Sequence, residues 1–114
     1  VAQFCILVMR PPSSNEEAER MCSLVNKAKE KGLSTSMYML GDGVYCVKRR
    51  QERHLGYNIR AAIDSGSEVL ANAKDLQARG IQLEQVEPGV KVIDDLEGAF
   101  VEDVMENSTR AISW

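Results

Sequence analysis

One histidine, six aromatic side chains and no long apolar run leave this 114-residue chain short of several kinds of site. His54 stands alone, and Cys5, Cys22 and Cys46 show no CxxC spacing, so a structural zinc site has too few ligands and no metal is expected. Tyr38, Tyr45, Tyr57 and Phe100 are too scattered to stack successive bases. Charge also argues against nucleic acid. The formal net charge is −3, and Lys48-Arg49-Arg50 is the one short basic cluster, read as a solvated helix face. No segment reaches the roughly 20 apolar residues of a membrane helix. The opening Gln3–Met9 stretch follows no basic region, so it does not read as a secretory signal. Three cysteines without a secretory signature read as reduced thiols of a cytosolic protein. The turn Gly41-Asp42-Gly43 lacks a P-loop lysine, and nothing in the chain asks for a cofactor.

What is present is an alternation of strands and helices within one domain, residues 1–114. Gln3–Met9 is nearly continuously apolar, as a parallel strand buried on both faces should be. Pro11 and Pro12 break it, and Ser14 or Asn15 can cap a helix whose first turn carries Glu16, Glu17 and Glu19. Ala18, Met21, Cys22, Val25 and Ala28 form its apolar stripe, and Gly32 ends it. Leu33–Leu40 reads as the second strand, with a short helix from Val44 and a polar, mobile loop over Gln51–Gly56. A helix over Tyr57–Ile63, a strand over Glu68–Ala71 and a helix over Ala73–Ala78 follow. Pro88-Gly89 turns into the strand Val90–Ile93. Asp94 or Asp95 caps the helix Leu96–Glu106, with Leu96, Phe100, Val101 and Val104 inward, and Ala111–Trp114 closes the chain as a strand. The pattern predicts an α/β fold: about five mainly parallel strands, helices on both faces, with flavodoxin-like layering. Ligands of such sheets sit at the carboxyl ends of the strands, where strand order reverses. That rule points to the loops after Met9, Leu40 and Ala71.

Three segments carry a family likeness. Met39-Leu-Gly-Asp-Gly-Val-Tyr45 resembles the Asp-Gly-Val strand-to-helix turn of the DsrE/DsrF/DsrH (Tus) sulfur-relay superfamily. Asp75-Leu-Gln-Ala-Arg-Gly80 resembles the Asp-Leu-x-Ala-Arg-Gly segment of its DsrH/TusB branch. Gly89-Val-Lys-Val-Ile-Asp94, Phe100-Val101 and the terminal Ile112-Ser-Trp114 are similar to the ending of that branch. Gly56-Tyr-Asn-Ile59 is similar to the YchN-like homomeric relatives. The resemblance implies a cytoplasmic role in persulfide transfer. It also implies trimer- or hexamer-type assembly, with related DsrE/DsrF-like subunits or with itself, and a TusA-like sulfur carrier as a further partner. In the DsrE/TusD branch the sulfur-carrying cysteine stands eight residues before the Arg-Gly glycine; here that position is Asn72. An amide forms no thiolate, so the DsrE-type activity is not implied, and TusB-like members share this lack.

Two cysteines remain as candidate persulfide carriers. Cys46 follows the Gly41–Gly43 turn near a helix N-terminus and precedes Lys48, Arg49 and Arg50, which would favour a thiolate; the favoured reading is nonetheless a small apolar packing residue. Cys22 matches a first-helix cysteine of DsrH-type members, yet it lies on the apolar stripe, where a buried thiol is inert. Cys5, within the first strand, reads as core. Asp42 could orient a ligand or neighbouring subunit, or simply cap the following turn. Gly41, Asp42, Gly43 and Asn72 together form the expected ligand or interface loop. Asp75 and Arg79, one turn apart, read as a surface pair, and Trp114 as a packing or subunit-contact residue. Three functions stay open: a relay subunit with an interaction role, an active sulfurtransferase using Cys46 or Cys22, and a homo-oligomeric small-ligand module.

Overall fold

The computed structural model describes residues 4–9, 16–48, 53–106 and 110–113, with side chains at all of these except 16–19, 21, 22, 53–58, 110 and 112. Five strands make one sheet: β1 (Phe4–Val8), β2 (Thr35–Met39), β3 (Glu68–Asn72), β4 (Lys91–Ile93) and β5 (Arg110–Ser113). Their order is β4-β3-β2-β1-β5, and every pairing is parallel. The helices are α1 (Glu16–Glu30), α2 (Arg53–Asp64), α3 (Ala73–Ala78) and α4 (Leu96–Glu106).

Strand periodicity sorts the side chains into two cores. Phe4, Ile6 and Val8, Met37 and Met39, and Val69 and Ala71 pack with Val25 of α1, Ile59 and Ala62 of α2, and Leu76 of α3. Their neighbours along the strands, Cys5, Tyr38 and Leu70, pack on the other face with Leu96, Ala99 and Phe100 of α4. A right-handed crossover explains the partition. The first three connections advance the chain one strand at a time, from β1 to β4, on one side. The last returns past β3, β2 and β1 to reach β5, and so lays α4 on the opposite face. One face therefore carries three helices and the other carries one.

The C-terminus of α1 follows its sequence signals, with Leu33 N–H bonding back to the Ala28 carbonyl at 3.0 Å. Asp95 caps α4 by accepting from Gly98 N–H at 3.1 Å. The expected Ser14 or Asn15 cap of α1, the loop after Met9 and Trp114 lie outside the described residues.

Three local expectations are corrected. Arg53–Gly56 belongs to α2 rather than to a loop: polarity there marks the start of a helix, not the absence of one. The short helix expected from Val44 starts three residues earlier and is a 3₁₀ helix, Gly41–Val47. Gly43 N–H closes its first turn on the Leu40 carbonyl at 3.0 Å, and Gly43 lies against the carbonyl of Val8, where a Cβ would collide. Val101 points outward, 54% exposed, while Asp103 takes the sheet-facing position.

Candidate functional site

Asp75 joins two of the segments singled out in the sequence. Gly41 begins the 3₁₀ turn at φ +58°, a left-handed conformation that glycine adopts without a Cβ penalty. This aims its N–H at Asp75 Oδ2, 2.7 Å away. Asn72, last residue of β3, donates from Nδ2 to the same oxygen at 2.8 Å. Arg79, one turn beyond Asp75, donates from Nη1 to Asp75 Oδ1 at 3.4 Å and to the Asp75 carbonyl at 3.2 Å. Its Nε reaches across to Asp42 Oδ1 at 2.9 Å. The Gly41–Gly43 turn and the Asp75–Gly80 segment are thus two halves of one network bridging the tips of β2 and β3.

Burial would push the Asp75 carboxyl up. The hydrogen bonds from Asn72 and Gly41 and the Arg79 guanidinium outweigh it and hold the group below the usual carboxylate value. The carboxylate therefore works as a charged acceptor, not as a proton donor. Asn72 faces the opposite situation. With its NH₂ committed to Asp75, its Oδ1 is buried and finds no hydrogen-bond partner among the described residues.

Of the expected site residues, Gly41, Asp42 and Asn72 are drawn together by Asp75 and Arg79, and Gly43 supplies the close contact with β1. Cys46 lies in the same 3₁₀ turn but points into the main core, 2% exposed. Burial pushes its thiol up to about 12, opposite to the shift a thiolate carrier needs. Cys22 lies in α1, with its side chain outside those described. The strand order reverses between β5 and β1, whereas this cluster sits two steps along, at β2 and β3.

Sequence reasoning missed a second polar cluster, beneath α4. Tyr38 OH donates to Asp103 Oδ2 at 2.7 Å, and Cys5 Sγ donates to the same oxygen at 3.1 Å. Phe100 closes over Tyr38 edge-to-face, with ring centroids 5.2 Å apart. Burial first, then the Asp103 carboxylate, raise the Tyr38 hydroxyl well above its ordinary value, so it stays protonated. The signal was available: Leu96, Ala99, Phe100 and Asp103 follow the i, i+3, i+4, i+7 spacing of an inward stripe. Among the described residues no His/Cys/Asp/Glu group could hold a metal, and no helix is long and apolar enough to cross a membrane.

A doubly covered parallel sheet with tight, polar strand-to-helix turns defines a single-domain α/β protein. The chain belongs to the family described as DsrH like protein, which it matches over residues 12–110. Membership supports the role of a sulfur-relay subunit, and members of this family function in complexes with other Dsr/Tus subunits. Among solved structures, the ychN protein from E. coli superposes with a TM-score of 0.84 at 15% identity, covering 100% of both chains. MTH1491 from Methanobacterium thermoautotrophicum does so at 0.84 and 16% identity, again over 100% of both. BT1422 from Bacteroides thetaiotaomicron gives 0.74 at 12% identity, covering 98% of this chain and 95% of its own. At these identities the likeness concerns the fold. No curated protein matches the sequence.

Proposed function

We propose that the chain is an interaction subunit of a cytoplasmic persulfide relay. In this reading its strand-tip network holds a partner's sulfur-bearing cysteine in place, and no thiol of its own carries the sulfur. The carrying observation is Asn72. It occupies the tip of β3, where the resemblance to the DsrE branch puts the acceptor cysteine, and its amide is locked to Asp75. Its Oδ1 is buried and lacks a hydrogen-bond partner among the described residues, so a partner's N–H would complete it only if the tip opens on docking. Assembly with related subunits in a trimer- or hexamer-type complex, and exchange with a TusA-like carrier, belong to the same reading.

Burial of Cys46 disfavours the rival reading of an independent sulfurtransferase in the form that uses this thiol, and the form that uses Cys22 stays open. Burial pushes the Cys46 thiol up to about 12, so it stays protonated at neutral pH. Alkylation of the folded chain with iodoacetamide across a pH series tests the proposal. The expected result is that no thiol reacts with a midpoint well below the ordinary thiol value of about 8.5. A cysteine titrating near neutrality, its signal lost on Cys46→Ser or Cys22→Ser, overturns it.

A further inference from the structure

The sheet face that carries α4 alone is unequally covered. Beside the C-terminal half of that helix, a groove of about 500 Å³ opens over the amino-terminal halves of β2 and β3. Ser36, Tyr38, Glu68 and Leu70 line one side of it, and Glu102 and Asp103 the other. Among the described residues Lys29 is the one cation along its lining, and Glu68 is paired with Lys91 at 3.1 Å.

Three further features of α4 point the same way. Val101 and Met105, one turn apart, stand 54% and 79% exposed, so the helix is apolar outward as well as inward. Residues 94–106 contain Asp94, Asp95, Glu97, Glu102, Asp103 and Glu106 and no Lys or Arg. The last turn of α4 has no basic residue and carries acidic groups against the negative end of the helix dipole, an arrangement that costs stability in the isolated chain. Local conflicts of this kind recur at functional or strained sites. A cationic partner relieves it. A second copy packed on this face through a two-fold axis instead sets one acidic helix against another.

We propose that the outer face of α4 and the adjoining groove dock an amphipathic helix of a partner protein. The partner's apolar stripe covers Val101 and Met105, and its Arg or Lys residues enter beside Glu102, Glu68 and Asp103. The site lies beneath and beside α4 rather than at the strand-tip network, and it stands whether or not the chain takes part in sulfur transfer.

The test uses the full chain and two synthetic amphipathic peptides, one with leucines at i, i+4 spacing flanked by arginines, the other its glutamate-substituted twin. Binding is followed by amide chemical shifts. The basic peptide is expected to shift α4 together with Ser36–Tyr38 and Glu68–Leu70, and to weaken as salt is raised. Its affinity is expected to fall about tenfold in Glu102→Lys/Glu106→Lys and to fall in Met105→Ser, all three positions being exposed enough to leave the fold intact. Equal binding of the glutamate twin, shifts confined to other surfaces, or unchanged affinity in the charge-reversed variant overturns the proposal. So does a self-associated chain whose oligomer is dissolved by Met105→Glu, which would place a second copy on this face.

Discussion

Asp75 accepts the backbone N–H of Gly41 at 2.7 Å, across thirty-four positions of sequence, and by that bond fixes the tip of β2 to the start of α3. The same oxygen takes the Asn72 amide, and the other oxygen faces Arg79. Two short motifs that look like independent turns are therefore one structural device.

Replacing Asp75 with Ala leaves the Gly41 N–H and the Asn72 amide without their acceptor and Arg79 with one carboxylate in place of two. Asp75 is partly exposed and water can reach part of the gap, so the expected cost is about 2 kcal/mol in urea-unfolding stability. Asp75→Asn, which keeps the shape and one oxygen, is expected to cost less.

Acid dependence follows from the same carboxylate. Its value is lower in the folded than in the unfolded chain, so the stability it confers is fully present above the unfolded value. That contribution is lost as pH falls through the folded one. Urea unfolding of the wild type and of Asp75→Asn, measured from neutral pH down to strongly acidic pH, is expected to show the gap between them closing. A gap that stays constant down the series contradicts the assignment.

The two glycines of the turn are expected to respond differently to alanine. At Gly43 the new methyl meets the Val8 carbonyl, so the turn or the end of β1 has to move, at a cost of about 1–3 kcal/mol. At Gly41 the space is open and only the left-handed backbone is penalised, by about 1–2 kcal/mol. Amide shifts of β1 residues separate the cases: Gly43→Ala perturbs Val8 and its neighbours, and Gly41→Ala leaves them in place.

Tyr38 governs the alkaline limb. Its raised value means the neutral hydroxyl is favoured in the folded chain. The contribution is complete below the unfolded value of about 10 and declines as pH rises beyond it. Tyr38→Phe is expected to lower stability by about 1 kcal/mol at neutral pH and to flatten the alkaline loss. Tyrosinate absorbance from Tyr38 should appear only with unfolding.

Strand-rich runs such as Phe4–Val8 and the capped helix Leu96–Glu106 were legible in the sequence because burial on both faces and helical spacing leave strong periodic marks. The Gly41–Gly43 and Asp75–Gly80 segments were recognisable as motifs, but their union was not. Nothing in local spacing says that a carboxylate at 75 will meet a backbone donor at 41; the parallel pairing of β2 with β3 creates that contact. Asp75 and Arg79 looked like a surface pair for this reason. The start of α2 was hidden because polar residues at an exposed helix end carry the composition of a loop. Asp103 was hidden by its charge: the Phe100-Val101 pair drew attention, although position 103 sits on the inward stripe and 101 does not.

Incubation of the folded wild-type chain with a low-molecular-weight persulfide donor, followed by intact mass and peptide mapping, tests the relay reading most directly. The expected outcome is no stable added sulfur on any cysteine, with Cys46 protected until the chain is unfolded. Stoichiometric persulfide on Cys46 or Cys22 of the folded protein, abolished by the matching serine substitution, would contradict it and make the chain a carrier in its own right.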